Sequence, residues 1–184
     1  MPKLRTCPCG KKFTPKNSLH KACCLVGSIE VTEAAKRRSE AREAKVQRQE
    51  AREAKERLKT RSEWIREAQV AFNAYIRARD ADLPCISCQR HHQGQYHAGH
   101  YRSTAAAPQL RFDPDNVHKQ CQPCNNHKSG NVVEYRINLI KKIGLEAVER
   151  LESDQAPRKW GVEELKSIRD EHRLKLKQIH THGD

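Results

Sequence analysis

Cys85-Ile-Ser-Cys88 and Cys121-Gln-Pro-Cys124 bracket the stretch on which the reading of this chain turns. Two C-x-x-C knuckles about thirty residues apart have the spacing class of a four-thiolate zinc site. Inside the loop they close lie His97-Ala-Gly-His100-Tyr101-Arg102 and Asp113-Pro-Asp-Asn116-Val-His118. Directly after the last thiol come Asn125, Asn126, His127 and Lys128. A zinc tying the ends of such a loop together, with histidines and an asparagine gathered inside, describes a small catalytic cage better than a simple structural clip.

The flanking segments read as helices. Thr60 with Glu63 three positions on forms a capping box, in which each residue satisfies a free amide of the other. Beyond it Trp64, Ile65, Ala68, Phe72, Tyr75 and Ile76 recur at spacings of three and four, a strongly amphipathic face. The folded core is expected to start here, and Pro84 delivers the chain to Cys85. After Lys128, Val132, Tyr135, Leu139, Ile140 and Ile143 read as a packed helix ended by Gly144. Leu145 to Leu151 reads as a short helix, and Val162 to about Ile179 as a last amphipathic one. Trp160, leading into it, reads as a packing residue in preference to a stacking platform for a base.

The N-terminal segment is a second candidate zinc site. Cys7-Pro-Cys9 is followed by Phe13, Leu19, His20, Cys23 and Cys24, with Phe13 and Leu19 where a small finger places its core residues. His20 and Cys24 would share one helical face at an i, i+4 spacing. Cys7, Cys9, His20 and Cys24 are the expected ligands, Cys23 is the alternative to Cys24, and free thiols in a basic tail are the competing reading. From Glu30 to about Lys59 the composition turns to Glu, Ala, Arg and Lys, with Glu-Ala-Arg-Glu-Ala-Lys at 40–45 returning at 50–55. Acid-first pairs such as Glu33/Arg37 and Glu53/Arg57 support an exposed helix, and the broken apolar stripe favours a lone charged arm over a coiled coil. The arm can lie along DNA or act as a spacer.

The expected class is therefore α+β: residues 1–28 a finger, 29–60 a charged helical arm, 61–152 a zinc-bound core with flanking helices, and 153–184 a C-terminal helix packed on that core. A net charge of +13 and a pI near 9.6 are the electrostatic footprint of a protein that meets polyphosphate. No apolar signal core and no long apolar span accompany the charge, which argues against a membrane partner and for the cytosol. Eight cysteines in short-spaced couples then point to metal rather than disulfides.

Phosphodiester hydrolysis needs an activated water, a cation on the developing charge and stabilisation of the leaving oxygen. His100, following Gly99 at the end of a short expected strand, is the candidate base. Asn116 is expected to orient its ring from the neighbouring strand. Asn125, fixed by the adjacent zinc thiol, can turn its amide oxygen to magnesium or manganese. Arg102, Arg111, Lys119 and Lys128 read as phosphate contacts.

The cage resembles that of the HNH nucleases, and in particular the phage NinG (Rap) recombination nucleases. The resemblance runs from the Trp64 helix to about Trp160. It is dense in Asp82-Leu-Pro-Cys-Ile-Ser-Cys88, Ala98-Gly-His-Tyr-Arg102, Thr104-Ala-Ala-Ala-Pro-Gln-Leu-Arg-Phe112 and His118-Lys-Gln-Cys121 through His127-Lys-Ser-Gly-Asn131. It implies a treble-clef or ββα-metal core, structure-selective cleavage of Holliday junctions and D-loops, and a bacterial host cell as the location. It carries the base role onto His100, the central asparagine onto Asn116 and a metal-ligand role onto Asn125. Where an aspartate is expected, His97 stands instead, which favours manganese, and its alignment with His100 requires a bulge near Gly99. The N-terminal cysteine spacing also departs from the family pattern. Besides branched DNA, a homodimer and recombination proteins are partners consistent with this reading. The rival is a non-catalytic, zinc-stabilised DNA-binding accessory protein.

Overall fold

Thr60 marks a boundary in the chain as well as the start of a helix. The computed structural model describes residues 3–153 and 156–181, so the outer ends of the expected divisions at Met1 and Asp184 lie outside the described residues. The chain divides into two compact units, Met1–Lys59 and Thr60–Asp184. Both are helix-rich, each carries one two-stranded sheet, and the class is α+β.

In the first unit, β1 (Arg5–Thr6) pairs antiparallel with β2 (Lys12–Phe13). The turn between them closes at Gly10, whose φ of +87° suits a residue without a Cβ. Helix α1 spans Leu25–Arg57; it starts earlier than the composition suggested because the Cys24 sulfur accepts from the Gly27 amide as a cap. Its 33 residues make a rod of about 50 Å. The Glu33/Arg37 pair closes at 3.4 Å and Glu53/Arg57 at 4.0 Å; such exposed pairs each contribute only a few tenths of a kcal/mol. Gly27 is the one buried residue of α1, so helix propensity and these pairs, not packing, hold the rod. Leu19 is 81% exposed, and it is no core residue of a finger.

In the second unit, α2 (Arg61–Arg79) starts from the expected capping box, with Glu63 Oε2 accepting from the Thr60 amide at 2.8 Å. It buries Trp64, Ala68, Ala71, Phe72 and Ile76 against α5 (Val162–Thr181), whose His172 ring stands 4.9 Å from that of Phe72. Trp160 packs on the same cluster with its indole donating to the Pro108 carbonyl at 3.0 Å. Strand β3 (Tyr96–His100) pairs antiparallel with β4 (Val117–Cys121) in an unbroken register from Tyr96↔Cys121 to His100↔Val117. A second cluster gathers Tyr101, Leu110, Tyr135, Leu139, Val148 and Leu151 from the loop after β3, α3 (Val132–Ile143) and α4 (Leu145–Glu152). Gly144 turns between α3 and α4 at φ +88°. Among the described residues no helix is long and apolar enough to cross a membrane.

Asp80, 2% exposed, joins these layers. Its carboxylate accepts from Arg79 Nε and Nη2 at 2.9 and 2.8 Å, Lys142 Nζ of α3 at 3.1 Å and the Lys119 amide of β4 at 3.1 Å. Burial opposes its ionised form, but these donors hold its carboxyl far below the usual carboxylate range. His118 Nδ1 receives Arg79 at 2.8 Å and Lys142 at 3.0 Å, and its Nε2 faces the Asp115 carbonyl at 3.1 Å. The ring is therefore neutral with its proton on Nε2, and burial lowers its pKa.

Two outcomes follow. Asp80→Asn should reduce the unfolding free energy by about 3 kcal/mol at neutral pH, since it leaves Arg79 and Lys142 uncompensated; a urea midpoint unchanged from the parent contradicts the hub. Burial is also the leading cause lowering His100 and His172. With three histidines that resist protonation when folded, stability should fall as pH drops below about 6.5, where only the unfolded chain gains protons. The Asp80 contribution is intact above the ordinary carboxylate range and is lost progressively as pH falls from there toward the depressed value of the folded state.

Candidate functional site

Pro84 directs the chain into a tight turn that presents Cys85 and Cys88, closed by Gln89 N donating to the Cys85 carbonyl at 2.9 Å with Gln89 at φ +55°. Cys121 ends β4, and Cys124 stands in a single wide helical turn, Pro123–His127. The four Sγ atoms lie within 4.8 Å of one another, and Cys88 and Cys121 are 3.9 Å apart. A tetrahedral zinc with Zn–S bonds of about 2.3 Å requires sulfurs about 3.8 Å apart, so this set could bind zinc. The Cys121 amide donates to Cys85 Sγ at 3.3 Å, which favours the thiolate. Burial is the first cause that pushes the Cys88 and Cys121 thiols up, and the neighbouring thiols, Cys85 and Cys124, add to it. His92, not singled out in the sequence, brings Nε2 to 3.1 Å from Cys88 Sγ, where its N–H would orient that sulfur.

The N-terminal set is Cys7, Cys9, Cys23 and Cys24, which corrects the expected ligands. His20 is outside it: its Nδ1 accepts from the Lys16 amide at 3.1 Å and its ring stands 5.0 Å from Phe13. The expectation failed because α1 begins only at Leu25, so His20 and Cys24 never share a helical face. Cys9 and Cys23 are 3.7 Å apart and Cys7 and Cys24 4.0 Å, again zinc spacing. Burial opposes ionisation of Cys7, but the Cys23 amide and its cysteine neighbours bring its thiol down to about 6, while the bond it shares with Cys7 pushes Cys23 up to about 12. A Cβ at Gly27 would stand 2.4 Å from Cys7 Sγ, so only glycine lets α1 approach these sulfurs.

His100 ends β3 as expected. Its Nε2 lies 3.0 Å from the Arg111 carbonyl; a carbonyl can only accept, so Nε2 carries the proton and Nδ1 the lone pair. Burial is the main cause lowering its pKa, and the Arg111 charge adds to it. Asn116 does not orient this ring. It is fully buried and holds the loop after β3, with Nδ2 donating to the Arg102 and Leu110 carbonyls at 3.0 and 3.1 Å and Oδ1 accepting from the Arg102 amide at 2.8 Å. The register explains why: His100 faces Val117, which leaves Asn116 one step beyond the ladder. Asn125 Nδ2 donates to Asn126 Oδ1 at 2.7 Å, and its own Oδ1 takes no hydrogen bond among the described residues.

His97 does not join His100. The unbroken register leaves no bulge at Gly99, so the two side chains occupy opposite faces of the hairpin. On its own face His97 is paired with Gln120, and the buried His97 Nε2 and Gln120 Oε1 both lack a hydrogen-bond partner among the described residues. Two such unmet atoms are donors of the kind a divalent ion takes up. A nitrogen with a neutral amide oxygen suits manganese better than magnesium. Among the described residues His97 belongs to no group of three or more histidine, cysteine or carboxylate ligands.

Of the expected phosphate contacts, Lys119 is corrected. It is 7% exposed, its Nζ donates to the Ala81 carbonyl at 2.6 Å and it lies over the Tyr96 ring, because β4 is buried along its whole length. Arg102 and Arg111 are half-buried and donate to the Glu152 carbonyl and to Gln69. Lys128 is exposed.

Purified protein should carry about two zinc ions per chain. Cys23→Ser should lower the count to about one, whereas His20→Ala should leave it at two; the reverse result would restore His20 as a ligand. Cys85→Ser should unfold the core, since structural zinc supplies much of the folding energy of a small site.

Among known proteins, the sequence model of the family described as "Bacteriophage Lambda NinG protein" matches residues 1–182. The chain is 58% identical over 122 residues to Protein ninG of Salmonella phage P22, which covers 66% of this chain and 60% of that protein. It is 57% identical over 122 residues to Protein ninG of Escherichia phage lambda (66% and 60%) and to that of Escherichia phage 933W (66% and 61%). The match thus spans about 60% of the length of these curated relatives. No solved structure matches. A family match over nearly the whole sequence places this chain in the NinG family of bacteriophage proteins.

Proposed function

We propose that the chain is a metal-dependent endonuclease of the HNH type, selective for branched recombination intermediates such as Holliday junctions and D-loops. The observation that carries this reading is His100: a half-buried imidazole of lowered pKa, proton on Nε2 and lone pair on Nδ1, at one end of a hairpin whose other end meets four thiols that could bind zinc. The Arg111 carbonyl fixes the ring, and Nδ1 takes the proton of the attacking water. Asn116 holds the adjoining loop, so the base is set before substrate arrives. Asn125, through its free Oδ1, is the residue that would hold magnesium or manganese; His97, on the opposite face of the hairpin, is not placed to share an ion with the His100 chemistry. Such an ion, when bound, supplies positive charge to the phosphate and the leaving oxygen.

Selectivity comes from DNA shape, because a cage that meets backbone has few side chains for base edges. A branch point supplies a strand that bends at low cost. The charge of +13 and the exposed basic residues of α1 suit contact with a further DNA segment. The accessory, non-catalytic reading draws on one specific observation: among the described residues the groups of three or more potential metal ligands are the two cysteine quartets, and neither includes His97 or His100.

Cleavage decides between the two. Pure full-length protein with added magnesium or manganese should cut four-way junctions far faster than linear duplex of the same sequence. His100→Ala should abolish cutting while junction affinity stays within a few-fold, since a general base acts in the transition state. The rate should hold down to below about pH 6.5 before falling, as the lowered pKa keeps the base neutral there. Junction binding without any cutting, with either ion, would make the accessory reading the correct one.

A further inference from the structure

Two clefts of the second unit adjoin. One, of about 450 Å³, lies beside the core thiols, and the other, of about 320 Å³, lies between the Leu83–Ile86 turn and the end of α3; both have Gln89 and Asn138 in their walls. Together they form one groove with cations at both ends, Arg90 and Lys128 at the knuckle and Lys141 and Lys142 at α3. Arg90 and Lys141 are exposed, and neither has an ion-pair partner among the described residues.

The middle of the groove is fixed. Asn138 Nδ2 donates to the Ser87 and Glu134 carbonyls at 2.9 Å each, and Gln89 Nε2 to the Ile86 carbonyl at 2.8 Å. Both amides are thus committed through nitrogen, which leaves their oxygens as acceptors. Of the two carboxylates in the lining, Asp80 is already neutralised by Arg79 and Lys142, leaving Glu134.

We propose that this groove holds an unpaired DNA strand, with Arg90, Lys128 and Lys141 on successive phosphates and the Gln89 and Asn138 oxygens accepting from base amino groups. The inference rests on the branched-DNA reading and adds the place where the unpaired strand lies. Cations at both ends match a polyanion that runs the length of the groove. No tryptophan, tyrosine or phenylalanine lines either cleft, so phosphate contacts carry the affinity and binding is steeply salt-dependent. Amide acceptors favour cytosine and adenine, which carry amino groups, over thymine.

The test uses the full chain carrying His100→Ala, which cannot cut, with a fluorescein-labelled oligo(dC), oligo(dT) and a blunt duplex. Arg90→Ala and Lys141→Ala should each weaken oligo(dC) binding and reduce the slope of log K against log[salt] by about 0.7. Arg90→Lys should restore it, zinc content should not change, and duplex binding should stay within twofold. Oligo(dC) should bind more tightly than oligo(dT). Oligo(dC) affinity of an Arg90→Ala, Lys141→Ala double variant within twofold of the His100→Ala parent overturns the groove, and so does an equal loss on duplex. Junction cleavage by the parent, measured separately, keeps the two proposals apart. Groove binding without cutting sinks the nuclease alone, and cutting with unaltered oligo(dC) binding sinks the groove alone.

Discussion

Two five-residue strands cannot hold each other in water, since a lone hairpin is marginal at best. The constraint that makes this one a platform is the meeting of Cys85 and Cys88 with Cys121 and Cys124, where the turn before β3 and the end of β4 converge on one point. With that end fixed, the register of β3 on β4 is fixed too, and with it the position of His100, of Asn116 one step beyond the ladder and of Asn125 just past the last thiol. The placement of each candidate group is a consequence of where four sulfurs meet.

Asp80 secures the opposite side by a different physics. A carboxylate out of water is costly unless fully partnered, and here a guanidinium, an ammonium and a main-chain amide, drawn from α2, α3 and β4, supply the partners. None of these elements can shift without leaving that charge exposed to an apolar interior. The thiols close the hairpin end; the carboxylate keeps helices α2 and α3 in register with it.

Local chemistry was legible in the sequence. The Thr60–Glu63 capping box, the stop at Gly144, the amphipathic faces of α2, α3 and α5 and the core cysteine quartet need only near neighbours to be recognised. What failed needed the third dimension. Lys119 looks like an outward cation on a strand, but α2 and α5 cover one face of the hairpin and α3 the other, so β4 has no outward side. His20 and Cys24 have helical spacing without a helix beneath them, since a sulfur cap starts α1 one residue later. Asn116 was expected to reach His100 and instead serves three main-chain groups of its own loop. Asp80, Gln120 and His92 carry no sequence signal, because their roles exist only once distant segments meet.

The rod α1 is exposed along most of its length and is anchored at its first turn, where Gly27 lies against Cys7 and the Cys24 sulfur accepts from the Gly27 amide. Its beginning is therefore written in sulfur and its remainder in alanine and charge. If those thiols hold zinc, as their spacing allows, its loss would loosen the capped end first, while the far end rests on its own propensity. Helical content in this segment would then follow metal occupancy, so that the length of the rod is tied to the cluster at its tip.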